Sequence, residues 1–411
     1  MKLALHGGTP LRTRPFQGWP ELDPEDSSAM VRVLESKRWS AIDHSDSQCA
    51  SFEREFAAYH GVRHAITVTN GTSALMVALK ALGVAPGDEV IVPAVTYAAT
   101  ATAASLIGAV PVFVDVDSRS HNILPAGIEA AMSPRTRAIV IVHLHGHPCE
   151  LDPIMELARS RGIPVVEDCA QAHGATYRGR RVGTFGQVAA FSFAMTKNLT
   201  AGEGGAVLTD DEGLAREARA LRDHGRPPGQ KDDHPKLGWG FRMTEFQGAL
   251  LRSQLRRLDS QLARKAEGAA YLAEQLGRLG LPWLSGGALP PAHATHGLFC
   301  FPFRYDAQLS GVPMLEFARA LAAEGIPTGN RHTLALPDLH LFRSKDAGVP
   351  SRAMDCSQAR EVARTLIRMG QPTGSGLLLE RPADLDDVVA AVSKVAENLD
   401  ALIRAKREGT S

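Results

Sequence analysis

Between residues 60 and 210 the apolar positions alternate between short continuous runs and longer stretches at helical spacing. Residues 64–69 (HAITVT) make a short apolar strand. Asn70-Gly71-Thr72 is a turn, and residues 73–82 continue as a helix that Gly83 ends. Residues 89–92 (EVIV) form the next strand, closed by Pro93. Residues 98–107 read as helical and 110–116 as extended. Residues 138–143 are another buried strand, 151–161 a helix, and 165–166 a strand leading into Glu167-Asp168. Strand–helix alternation at this spacing predicts an α/β fold, with a parallel sheet covered on both faces.

The pattern then changes. Residues 211–224 read as a helix, and 225–237 (GRPPGQKDDHPKL) as a polar loop rich in glycine and proline. From 243 to about 276 the apolar spacing is helical throughout, which predicts one long helix connecting two domains. A strand (298–304), a helix (314–324), a loop-rich stretch and a last amphipathic helix (384–403) follow, with no internal repeat.

Length sharpens this picture. Single cores stop growing near ~250–300 residues, and the chain has 411. We expect a large domain over 1–250 and a smaller C-terminal α/β domain, with the connecting helix, over 251–411. Lys+Arg and Asp+Glu are both 45, so the net charge is zero. A general polyanion binder needs a basic excess, so no nucleic-acid partner is expected. Five widely spread cysteines suit a reducing cytoplasm better than a disulfide framework. Residues 1–10 hold one lysine and no apolar core of signal-peptide length, and no apolar run reaches the ~18 residues of a membrane span.

The common nucleotide and hydrolase signatures are missing: no G-x-G-x-x-G after a strand, no G-x-x-x-x-G-K-[ST], no G-x-S-x-G. What remains is more specific. Only ten of the 45 basic residues are lysines, and Lys197 lies between an apolar run and Gly202-Glu203-Gly204-Gly205. Partial burial would lower its amine pKa and make it a nucleophile toward a carbonyl; a solvated loop lysine is the plainer alternative. Asp168 ends an apolar strand, where open parallel sheets bind ligands. It could hold a protonated ring nitrogen, or only cap a helix. In Asn70-Gly71-Thr72-Ser73 a helix start carries two hydroxyls, suited to phosphate or to capping by Thr72 or Ser73. Tyr97 follows the next strand and could stack on a flat ring or sit in the core. A lysine, a strand-end aspartate and a phosphate-type helix start are together what a pyridoxal phosphate site needs.

A rival arrangement is His143, His145 and His147, alternating before Cys149. Alternate strand positions share a face and could ligate a metal. Gly146 and Pro148 break such a strand, so these are read as strand-end and loop residues and no metal is expected.

Five segments carry a wider likeness: AITVTNGTSALMVAL (65–79), DEVIVPAVTYAATATA (88–103), PVVEDCAQAHGATYRGRRVGTFG (164–186), FSFAMTKNLTAGEGGAVLTDD (191–211) and FRMTEFQGALLRSQLRRLD (241–259). In order and spacing the chain resembles the DegT/DnrJ/EryC1/StrS family of sugar and aminocyclitol aminotransferases. The resemblance implies a fold-type I pyridoxal phosphate enzyme: a large domain with a mainly parallel seven-stranded sheet, a smaller α/β domain, and a cytoplasmic homodimer with sites at the subunit interface. It implies that Lys197 carries the cofactor, Asp168 pairs with the pyridinium nitrogen, Gln171 bonds the ring hydroxyl and Tyr97 stacks on the ring. Thr72, Ser73 and Ser192 would hold the phosphate.

Three positions depart from the family pattern. Gly240 stands where relatives carry an asparagine that reaches the partner subunit's phosphate, His145 replaces an aromatic, and RTLIRMGQPTGSGLLL (364–379) lacks a leucine-proline turn. Because Lys197 is present, transamination is expected rather than dehydration. The mechanism implied is ping-pong: glutamine or glutamate gives up its amino group, pyridoxamine 5′-phosphate is the half-reaction product, and a ketone on a cyclitol or sugar receives the amine. The segments 3–20 and NLTAGEGG lean toward the aminocyclitol and aminohydroxybenzoate branch, in aminoglycoside-type biosynthesis, over the nucleotide-sugar branch.

Overall fold

The computed structural model describes residues 1–40, 46–230, 233–286, 290–329, 334–369 and 376–407. Its centre is a sheet built from β1 (His64–Val68), β2 (Glu89–Pro93), β3 (Val110–Val114), β4 (Thr136–Val142), β5 (Val165–Asp168), β6 (Val188–Ser192), β7 (Gly205–Thr209) and β8 (Arg352–Ala353). The order across it is β1-β7-β6-β5-β4-β2-β3-β8. Only β7 runs antiparallel to its neighbours. Residues of β2 and β5 are buried throughout, and two apolar clusters cover the two faces.

Seven strands come from the first half of the chain, in line with the expected count, and an eighth corrects it. Arg352 and Ala353 pair in parallel with Val112 and Phe113 at the sheet edge. Two residues give no readable strand period, and Arg352 is held there by tertiary partners, Glu89 Oε2 at 2.8 Å and Ala131 O at 2.6 Å.

The helix Gly71–Ala81 (α1) follows β1 and has seven buried residues in its eleven. The long helix expected over 243–276 is two helices, α2 (Glu245–Leu255) and α3 (Leu258–Arg278). Arg257 leaves helical geometry at the junction (φ −109°, ψ 0°), and its guanidinium reaches buried Asp26 at 2.6 Å. No glycine or proline marks the break; the residue that leaves helical geometry there is held by a distant carboxylate. The helix expected over 384–403 is likewise divided, into Pro382–Ala396 and Leu399–Arg407.

A second sheet, antiparallel, joins Leu284–Gly286, Pro302–Tyr305, Leu366–Met369 and Thr328–Gly329. Its core includes Phe303, Tyr305, Phe317, Leu272 and Val388, and also Leu3 and Phe16 from the start of the chain. That N-terminal segment is pinned by fully buried Glu324, which accepts from Ala4 N (2.8 Å) and Leu11 N (3.2 Å) and pairs with Lys394 (2.8 Å). The strand expected over 298–304 starts only at Pro302. Leu298 is left-handed (φ 49°), and its neighbours bond instead to the 145–146 turn. Residues 370–375 of the segment read as lacking a leucine-proline turn, and 231–232 of the polar loop, lie outside the described residues.

Candidate active site

The carboxyl ends of β1, β2, β4, β5 and β6 share one edge of the sheet, and the loops leaving them carry Asn70–Ser73, Tyr97, His143–His147, Asp168–Gln171 and Ser192–Lys197. Ligands of open α/β sheets bind at this edge.

The helix start comes first. Asn70 caps α1: its side chain accepts from Ser73 N at 2.8 Å. Thr72 and Ser73, weighed above as caps, therefore sit within the first turn, where N–H groups lack intrahelical acceptors. Ser73 is buried, with its hydroxyl 2.9 Å from that of Thr69. The turn lies directly on the end of β6, since a Cβ at Gly71 would stand 2.7 Å from Ser192 Cβ. A Cβ at Gly205 would meet Asn70 O at 2.4 Å. Two glycines thus bring α1 down onto buried Ser192 and make a cradle of backbone N–H groups and hydroxyls. A phosphate suits such a cradle.

Asp168 is buried at the end of β5. Its Oδ2 accepts from Thr100 Oγ1 at 2.8 Å and its Oδ1 from Ala170 N at 3.1 Å. It caps no helix. Burial pushes its carboxyl above the ordinary value, against the Thr100 and Ala170 hydrogen bonds and the charge of Lys197. An anion so placed gains most from a cationic partner. Thr100 was not singled out from sequence; its signal is the place one helical turn beyond the residue before Tyr97.

Gln171 is also buried, and its Oε1 accepts from His145 N at 2.8 Å. Its amide N–H groups are then what it can offer a ring oxygen. Tyr97 follows β2 and is 68% exposed in the single chain.

Lys197 lies half-buried on a loop closed by Met195 N to Gly202 O (2.8 Å) and Ala201 N to Phe193 O (3.0 Å). Its Nζ stands 4.6 Å from the centre of the Phe299 ring. Phe299 comes from the second half of the chain and is tied down by its N–H to His145 O (3.1 Å). Trp19 grips the same loop by donating from Nε1 to Met195 O at 3.0 Å. Neither aromatic was found from sequence, because no local pattern links them to the lysine.

The alternating histidines do not share a face. His145 is left-handed (φ 61°), and the side chains diverge: His143 to Glu167, His145 to Cys300, His147 to Asn122. His143, Glu167 and Cys169 come within 4.8 Å of one another. The histidine and the glutamate are already committed, however. His143 Nδ1 accepts from Cys149 N (3.0 Å), leaving Nε2 to donate to Glu167 (3.1 Å). Glu167 further accepts from Gly183, Phe185 and Gly186 N. This is a buried clamp behind the site.

The residues present fit pyridoxal phosphate: an anion cradle at α1, a buried carboxylate for the ring nitrogen, an amide for the ring oxygen and an amine on the adjoining loop.

Comparison with known proteins agrees with this fit. The model of the DegT/DnrJ/EryC1/StrS aminotransferase family matches residues 20–392. An L-glutamine:2-deoxy-scyllo-inosose aminotransferase of Micromonospora echinospora is 38% identical, over 96% of this chain and 98% of its own. A GDP-perosamine synthase of Caulobacter vibrioides is 37% identical, over 92% and 96%. A crystal structure of 3-amino-5-hydroxybenzoic acid synthase superposes with a TM-score of 0.83 at 31% identity, covering 93% of this chain and 99% of that one. The chain belongs to the DegT/DnrJ/EryC1/StrS aminotransferase family, whose enzymes depend on pyridoxal phosphate.

Proposed function

We propose that this protein moves an amino group from glutamine or glutamate to a ketone on a free cyclitol, in aminoglycoside-type biosynthesis. The observation that carries the chemistry is the convergence of Lys197, buried Asp168, Gln171 and the Gly71–Ser192 cradle at one sheet edge. The cyclitol acceptor is favoured by the 38% identity to a scyllo-inosose-type aminotransferase over nearly the full length of both chains.

Bound pyridoxal 5′-phosphate supplies the electron sink and, as pyridoxamine 5′-phosphate, stores the amino group between half-reactions. Thr72, Ser73 and Ser192 hold the phosphate end. Asp168, ionised and braced by Thr100, keeps a proton on the ring nitrogen. Gln171 would orient the ring through its oxygen, and Tyr97 would stack on the ring. The amine of Lys197 would hold the cofactor and would move the proton from the donor's Cα to the cofactor, acting first as general base and then as general acid. The exposed Tyr97, and Trp39, Leu34 and Val31 beside α2, are the surface we assign to a second copy in a homodimer. We place the enzyme in the cytoplasm, on the thiols of its five free cysteines; among the described residues no helix is long and apolar enough to cross a membrane.

The test is a half-reaction panel followed by visible absorbance. Loaded enzyme should lose its yellow colour on adding glutamine and regain it on adding a scyllo-inosose-type ketone. Recovery with a nucleotide-linked keto sugar alone would move the enzyme to the nucleotide-sugar branch. Dehydration of an aminated ring without net transamination would favour the aminohydroxybenzoate type.

A further inference from the structure

Lys197 is not the lysine that the fold buries most deeply. Lys265, on α3, is fully buried. Its Nζ donates to Asn198 Oδ1 at 2.7 Å and lies 4.6 Å from the centre of the Trp19 ring. Burial pushes its pKa down to about 7. An amine removed from water is costly unless its hydrogens are bonded, and an apolar residue of the same length often packs at least as stably. The bond to Asn198 is therefore the informative feature, and both the charged and the neutral amine can donate it.

Asn198 is where three parts of the chain meet. It follows Lys197 directly, and its Nδ2 donates to Gly297 O. Gly297 N in turn donates to Gly146 O at 2.7 Å. Gly297 also presses on the chain after Gln171, since a Cβ there would stand 3.0 Å from Ala172 Cα. Two residues on, Phe299 sets its ring beneath Lys197 Nζ. On the other side of Lys197, Trp19 holds Met195 O while its ring faces Lys265. The loop is thus gripped on both flanks of its lysine, and Lys265 touches both grips.

We infer that Lys265 is a positioning residue: through Asn198 it locks the Lys197 loop against the Gly297–Phe299 segment and so sets where Lys197 Nζ stands. As a statement about catalysis this rests on the aminotransferase reading above; as a statement about the loop it does not.

The experiment compares wild type with Lys265→Met, Asn198→Ala and the double variant. Amide hydrogen exchange over residues 195–200 is measured in the cofactor-free full chain, and kcat and KM for the amino donor in the loaded enzyme. Lys265→Met should melt no lower than wild type, yet exchange faster over 195–200 by about tenfold or more. Its kcat should fall by about tenfold with KM changed less than about threefold. Asn198→Ala should reproduce both losses, and the double variant should be no worse than either single one. Should Lys265→Met fail to fold, Asn198→Ala carries the same comparison. Unchanged exchange over 195–200, or losses that simply add in the double variant, would overturn the inference. A wild type that exchanges as expected but does not bleach with glutamine would instead overturn the aminotransferase reading.

Discussion

Thr100 Oγ1 donates a 2.8 Å hydrogen bond to Asp168 Oδ2, linking the helix after Tyr97 to the end of β5. Both groups are buried, so the bond forms in a low-dielectric setting where a missing partner is expensive. The donor pulls the Asp168 carboxyl down against the burial that pushes it up. Thr100→Val keeps the shape and removes the donor. A hydrogen bond to a charged group contributes about 1.5–3 kcal/mol, so kcat/KM should drop roughly ten- to a hundredfold. The raised carboxyl would also lose its charge at a higher pH, so cofactor affinity should begin to fall at a higher pH than in wild type. Thr100→Ser should restore both, as read by cofactor titration across pH and steady-state rates.

Lys197→Ala is expected to abolish turnover while leaving the fold intact. Borohydride treatment should fix the cofactor covalently to wild type and not to the variant, by mass spectrometry. Near-normal transamination by the variant would remove Lys197 from its assigned role.

Gly240→Asn tests a position where the chain departs from its family's pattern. A Cβ at Gly240 would stand 2.9 Å from the His224 ring, so an asparagine there requires that ring to shift. We expect Gly240→Asn to weaken pyridoxal phosphate binding, and His224→Ala in the same chain to recover part of the loss. Tighter binding in the single variant, by titration of cofactor-free protein, would show that the site has room to spare.

Lys265 also makes a prediction about stability. Its folded pKa is lowered from 10.5 to about 7, chiefly by burial, with Glu21 and Cys300 acting upward and Arg264 downward. Between those values the unfolded chain binds a proton that the folded chain does not, so unfolding becomes harder as pH rises. Below about 7 the full cost of the buried ammonium is present. Urea unfolding at pH 7 and pH 9 should therefore show wild type gaining stability relative to Lys265→Met at the higher pH. The opposite sign would mean that the amine is charged and well paired in the fold.

The strands β1 to β5 were legible because each is a short apolar run cut off by glycine, proline or a polar turn, whereas β6 read only as an apolar run and β7 was not read at all. Of the carboxyl-end residues, Asp168 and the Asn70–Ser73 turn followed because each stands where an apolar run stops, while Ser192 was implied by the family resemblance alone. The two-residue edge strand at Arg352 and the break between α2 and α3 were not legible. At each, a charged side chain is held by a partner more than two hundred positions away, and no local period records that.

What the sequence alone determined is thus the α/β architecture, the family, and the lysine, aspartate and glutamine of the candidate site, all of which are written in contiguous motifs. What the tertiary structure decided is how that site is held. Asn70 rather than Thr72 or Ser73 caps α1 because only its side chain lies within reach of the Ser73 amide. Phe299 and Trp19 reach the Lys197 loop from opposite ends of the chain, and Lys265 braces it from a helix in between. Such contacts depend on packing among segments distant in sequence, and the energy that selects them exists only once the core has closed.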